Sequence, residues 1–328
     1  MTSLFRKANA SEYRTTPDHL PALLQGCRQD LTTGLVQFSH STEDHLTLFL
    51  VEGNIINAYL HTSTTWKHIS PTAWGSSVKN VEGTARILNL PIDGIRIGKI
   101  TVECMPSAHT LTVQTADLEK HLYEWAILPL ARVVHIGWSD AEASIVLPGN
   151  GDPKRTILFI NREQAITGPE AMEKILSWDE SHCEVTIYAD ENGAEACQEY
   201  HLHLAFTDSL ELILRRYEEL AGRSLMYALG HELTTAAQGQ GWHILCEGDS
   251  VTDQEVFPSL PDAASAYRML CNLCLAHAET VIGQKLTNTI VRDTVIEVDK
   301  SYGEVLKVHP LLLPDEASVV EIGVPTYG

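Results

Sequence analysis

Positive charge is scarce in this 328-residue sequence: 23 Lys and Arg stand against 43 Asp and Glu, a formal net charge of -20. Attachment to a nucleic-acid backbone is driven by clustered Lys and Arg that displace counterions from phosphate. The deficit therefore argues against a nucleic-acid partner. Long apolar runs are also missing, and none approaches the ~20 residues that span a bilayer. The most apolar stretch, Trp125 to Trp138, is interrupted by Pro129, Arg132 and His135. No apolar segment of the secretory type opens the sequence. Seven cysteines, an odd number scattered along a long chain, do not read as a disulfide framework. The expectation is a reduced, cytoplasmic protein without membrane insertion. What is present, 44% hydrophobic residues at a mean hydropathy of -0.06, suits a folded chain.

The acidity is unevenly placed. Residues 1–110 carry 9 basic and 9 acidic side chains, residues 111–206 carry 6 and 16, and residues 207–328 carry 8 and 18. The last two sections thus supply -10 each, which either keeps their surfaces solvated or complements a basic protein partner.

These three sections also differ in pattern. In 1–110, Leu20, Leu23 and Leu24 have helical spacing behind Asp18 and Pro21, which suit an N-cap and a first turn. Gly34 then opens an alternating strand to Phe38, Leu46–Val51 reads as a returning strand, and Glu52-Gly53-Asn54 as a tight turn. Ile55–Leu60 forms a third strand, with closing strands expected at Thr84–Leu90 and Lys99–Cys104. In 111–206 the order recurs. A helical stripe runs from Leu122 to Leu130, followed by strands Ala143–Leu147, Thr156–Ile160 and Gln164–Thr167. A helix Pro169–Trp178 and a strand Cys183–Tyr188 close it. Gly34 to Leu48 and Ser144 to Leu158 are equally long, which aligns Gly34 with Ser144. A further strand is expected over Tyr200–Phe206.

From Asp208 the period becomes helical. Asp208 and Glu211 resemble a capping box ahead of Leu210, Ile213, Leu214 and Tyr217. A second helix follows through Leu225, Leu229 and Leu233, and a third after Pro261 with Asp262 as its cap. A fourth runs from Ile282, and Trp242–Pro258 reads as an irregular or partly extended connection. The predicted class is α+β: two related helix-plus-β-meander modules at 1–110 and 111–206, then a small helical bundle at 207–328.

The motifs Thr33-Gly34-Leu35, Leu48-Phe49-Leu50, Gly53-Asn54-Ile55 and Ala58 in the first copy resemble the PATAN type (PatA N-terminal-like) of bacterial signalling domains. In the second copy the likeness lies in Leu158-Phe159-Ile160 and Ile175-Leu176-Ser177-Trp178. The second copy carries Arg162-Glu163 where that pattern has glycine, and the first lacks the "LLxW" sequence. The resemblance covers about half of the chain. It implies a non-enzymatic protein-interaction module in signalling or motility, with no catalytic residues.

Chemical motifs are sparse. Cys271, Cys274 and His277 share a helix side and have ligand types that suit zinc, with Cys246 or His231 as a fourth donor. Burial as core competes with that reading and is favoured. His201 and His203 would share one face of the expected strand. His231-Glu232 lacks the second histidine of a zincin helix, and Gly149-Asn150-Gly151 lacks the Lys-Ser/Thr of a phosphate loop. Asp249–Asp253 lacks the glycine of a calcium loop. Trp66 and Trp74, in the aperiodic segment His61–Lys79, are the expected contact residues. With chemical motifs this sparse, the resemblance implies a cytoplasmic bacterial signalling or regulatory adaptor that works through protein contacts, without catalytic residues or cofactor. The alternatives are a zinc or cysteine enzyme centred on the helical section, or a structural subunit of a larger assembly.

Overall fold

The computed structural model describes residues 4–39, 44–62, 65–70, 74–77, 82–104, 108–149 and 156–312. The first copy runs β1 (Ala10–Thr15), α1 (Leu20–Gln29), β2 (Gly34–Ser39), β3 (Asp44–Val51), β4 (Asn54–Thr62), β5 (Thr65–Ile69), a single turn α2 (Trp74–Ser77), β6 (Gly83–Asn89) and α3 (Ile92–Cys104). The second repeats it: β7 (Ala108–Gln114), α4 (Leu118–Ala126), β8 (Arg132–Gly137), β9 (Ala141–Leu147), β10 (Thr156–Asn161), β11 (Ala165–Thr167), α5 (Gly168–Leu176), β12 (His182–Ala189) and α6 (Glu195–Ala221). The antiparallel sheets have orders β1-β6-β2-β3-β4-β5 and β7-β12-β8-β9-β10-β11, the same topology element for element.

The likeness extends to single positions. An offset of 98 residues carries Leu20 to Leu118 and Leu24 to Leu122, the buried stripes of α1 and α4. It also carries Val36 to Val134 and Phe38 to Ile136, on which those stripes rest. The alignment of Gly34 with Ser144 is therefore one strand out. Gly34 matches Arg132, and the first meander strand of the second copy is β8, which lay hidden in the apolar stretch after Trp125. Strands β1 and β7 are also additions to the sequence reading. Both are exposed along most of their length, so no buried stripe marks them.

Alternation along the strands gives each sheet two apolar faces. One packs on its own helices: Val36, Phe38, Leu46 and Leu48 lie under α1, and Ile145, Leu147 and Phe159 under α4 and α5. The other face is buried against α3. A Cβ on Gly98 would lie 2.8 Å from Phe49 Cε1 in the first sheet, and one on Gly94 would lie 3.3 Å from Leu158 Cδ2 in the second. The two glycines let one helix sit between two sheets. Lys99–Cys104 is thus the end of a helix and not the strand expected. A helix buried on both sides loses its 3.6-residue signature, and Ile, Thr and Val then mimic a buried strand.

The chain divides into two compact units, residues 1–200 with 256–258, and 201–255 with 259–328. The second holds the later part of α6, α7 (Arg223–Gly239), a hairpin of β13 (Ile244–Glu247) and β14 (Ser250–Asp253), α8 (Leu260–Ile282) and α9 (Gln284–Val308). Tyr200–Phe206 is helical here. Asp208 therefore lies inside α6, where it accepts a hydrogen bond from Tyr302 Oη at 3.0 Å instead of capping. Glu211 accepts from the Val251 amide at 3.2 Å. The irregular or partly extended connection expected at Trp242–Pro258 contains the hairpin. The cap of α8 is Ser259, whose hydroxyl accepts from the Asp262 amide and donates to its carboxylate at 2.6 Å. Gly283, at φ +82°, separates α8 from α9. Among the described residues no helix is long and apolar enough to cross a membrane. Residues 40–43, 150–155 and 313–328 lie outside the described residues, and with them Asn150 and Gly151 of the Gly149-Asn150-Gly151 motif.

Candidate functional site

The last turns of α3 place charge and sulfur inside this apolar slab. Lys99 meets Glu199 at 2.6 Å, with side chains only 4% and 15% exposed. Glu103 accepts a hydrogen bond from Tyr59 Oη at 2.7 Å on one oxygen and from the Ala196 amide at 2.9 Å on the other. The second bond satisfies one of the orphan N–H groups at the start of α6. Beside it, Cys104 and Cys197 bring their sulfurs to 3.7 Å, both buried. Asp190, half-buried, accepts from the Ala194 amide at 2.7 Å. The seam between α3 and the start of α6 therefore gathers two thiols, three carboxyls, an ammonium and a phenol.

Burial and its neighbours set the protonation of this seam. Desolvation pushes the Glu199 carboxyl up against the downward pull of Lys99. Tyr59 is pushed far up by burial and by Glu103. The Cys197 thiol is raised well above its usual value, first by its bond with Cys104 and then by burial. At neutral pH Cys197 is a thiol, the opposite of what a cysteine nucleophile requires.

A second polar cluster lies in the helical unit. Asp253, whose side chain is fully buried, accepts from Tyr267 Oη at 2.6 Å, His203 Nδ1 at 2.7 Å and the Glu255 amide at 2.8 Å. Tyr267 stacks on Phe206 at 4.2 Å between ring centroids. An imidazole held by a buried carboxylate has half the geometry of a relay, but its carboxylate also ties the β14 end to α6 and α8. Asp253→Ala is expected to destabilise the chain by about 3 kcal/mol and Tyr267→Phe by about 1.5 kcal/mol. Urea unfolding followed by far-ultraviolet circular dichroism measures both.

The residues singled out in the sequence fall elsewhere. Cys271 and Cys274 are buried in α8. His277 Nδ1 pairs with Glu232 at 2.7 Å. Burial pushes Cys246 and Cys271 up to about 12 and Cys274 well above its usual value. Among the described residues, one group of three or more His, Cys, Asp or Glu places its ligand atoms within 4.8 Å of one another: Cys104, Asp190 and Cys197. Cys271, Cys274 and His277 do not form such a group. His201 and His203, two apart on a helix, point in different directions. Trp66 lies in β5, half-buried, with its ring 4.8 Å from that of His61. Trp74 is 9% exposed and packs in the first core with Leu20 and Leu24. The Cys104, Asp190 and Cys197 cluster left no mark in the sequence, because 93 positions separate its cysteines.

The exposed apolar side chains concentrate elsewhere in the first unit. Tyr123 (67% exposed), Ile127 (58%), Leu128 and Leu130 lie on α4 and the loop after it. The 98-residue offset places Gln25, Gln29, Asp30 and Thr32 at the same points of the first copy. One exposed apolar residue, Leu31, remains there.

Comparison with known protein families, with curated proteins and with solved structures finds no match for this chain.

Proposed function

We propose that the chain is a non-catalytic bacterial signalling or regulatory adaptor of the PATAN-like kind, binding a protein partner through its second copy. The observation that carries this reading is the contrast between the copies at the end of their first helix. One scaffold presents Tyr123, Ile127, Leu128 and Leu130 to solvent in the second copy and mainly polar residues in the first. A shared backbone makes the first copy an internal control: the fold does not require apolar residues at these points. Clustered exposed aromatic and aliphatic side chains are the usual anchors of a protein contact. The acidity of residues 111–328 favours a partner with basic residues around its apolar centre.

A photo-reactive amino acid at position 127 is expected to trap a defined partner in the source cells, and one at position 29 to trap none. Equal trapping at both positions would refute the reading. Ile127→Asp with Leu128→Asp is expected to abolish capture while shifting stability by no more than about 0.5 kcal/mol, as befits exposed positions.

A further inference from the structure

We infer that Cys104, Asp190 and Cys197 form a zinc-binding site at the seam of the two copies. Two thiolates each about 2.3 Å from a tetrahedral zinc stand about 3.8 Å apart, the edge of that tetrahedron. The sulfurs of Cys104 and Cys197 are 3.7 Å apart, so that edge is already set. The nearest carboxylate oxygen of Asp190 lies within 4.8 Å of both. The third corner of the tetrahedron lies about 3.6 Å from each sulfur, given zinc–oxygen bonds of about 2.0–2.2 Å, and rotation of the Asp190 side chain closes that difference.

The duplication supplies an independent argument. Asp190 donates its amide to the Ala131 carbonyl at 2.9 Å, just as Leu90 donates to that of Thr33 at 3.0 Å. Leu90 and Asp190 therefore occupy the same point of the repeat. There the first copy buries a leucine against Gly94, and the second places a carboxylate beside two cysteines. Asp190 also caps the turn into α6 through Oδ1. A carboxylate has a second oxygen, so capping and coordination are compatible.

Two thiolates and a carboxylate form a mixed soft and hard donor set that zinc accepts and that calcium and magnesium do not. Binding exchanges one Zn²⁺ for the two thiol protons of Cys104 and Cys197, which pass to solvent, so affinity rises with pH. Three protein ligands leave the fourth corner to water. The site pins the end of α3 to the start of α6, across which Lys99 and Glu199 also pair. It is separate from the exposed apolar residues of α4, and neither proposal depends on the other.

The test uses the full chain, purified under reducing conditions. Elemental analysis is expected to find one zinc per chain, retained in Cys271→Ser and lost in both Cys104→Ser and Cys197→Ser. Metal-free chain titrated with Co²⁺ should develop a sulfur-to-cobalt charge-transfer band. Cys197→Ser should abolish that band, and Asp190→Asn should raise the cobalt needed for half-saturation at least about tenfold. Circular dichroism shows whether each variant is folded. Folded wild-type chain that yields no charge-transfer band overturns the proposal. So does a Cys104–Cys197 disulfide that forms in its place and persists through reduction. A band unchanged in folded Cys197→Ser assigns the metal elsewhere and likewise overturns it.

Discussion

Lys99→Met is expected to destabilise the protein by about 3–5 kcal/mol, because it leaves Glu199 charged, buried and without its cation. The double variant Lys99→Met with Glu199→Leu should recover most of that loss. A buried ion pair compensates for its own desolvation, and two apolar side chains of similar volume need no compensation. Chemical denaturation of the four members of the cycle gives the coupling directly. Acid should rescue the single variant. The folded value of Glu199 already lies above its unfolded one, since burial outweighs Lys99. Between the two values the folded chain binds more proton than the unfolded, so this group's contribution falls as pH rises through that window. Removing Lys99 takes away a downward pull and widens the window. The gap between Lys99→Met and wild type should therefore be greatest at neutral pH and shrink as the pH is lowered toward the ordinary carboxylate range. A gap independent of pH would mean that the loss comes from packing of the lysine stem.

Gly53→Ala is expected to cost about 3–4 kcal/mol, from left-handed backbone strain and collision together. Glu52 (φ +48°) and Gly53 (φ +75°) form the two-residue hairpin between β3 and β4. A Cβ on Gly53 would lie 2.3 Å from Arg28 Cα and 2.7 Å from the Cys27 carbonyl oxygen. Those atoms belong to the backbone at the end of α1, which the Gly53 amide approaches by donating to the Thr32 carbonyl at 2.7 Å. Asparagine tolerates positive φ but still carries a Cβ, so Gly53→Asn should remain nearly as unstable. Gly168 separates the two causes. It has φ +68° with open space around its missing Cβ, so Gly168→Ala should cost only about 1 kcal/mol and Gly168→Asn less. Thermal melts of the four variants test this ranking. Rescue by Gly53→Asn would show strain alone.

The α+β class and the repeated module were legible because α1, α5 and β12 have apolar side chains at clean periods and polar turns between them. The register of the repeat was not. In β9 every residue is buried, and β8 follows α4 through the apolar run Ile127–Leu130, so neither shows the alternation that marks a strand edge. α3 failed for the same reason in the opposite direction. His201 and His203 stand in a helix whose cap lies further upstream than Asp208 suggested. The seam site was illegible by nature. Its members follow separate closing strands of separate copies, and only the pairing of α3 with α6 brings them together. Trp74 shows the limit of composition: a tryptophan in a polar, aperiodic segment can still fill a core.

The placement of α3 has a consequence for inheritance. Tandem domains that fold independently can be shuffled, lost or exchanged one at a time. Here a single helix fills the inner faces of both sheets, with Gly98 against Phe49 and Gly94 against Leu158. A recombination event that removed either copy would strip one side of α3 and expose the remaining sheet. The two copies can differ residue by residue, as Leu90 and Asp190 do, but neither can be cut away without uncovering a sheet face that α3 now fills.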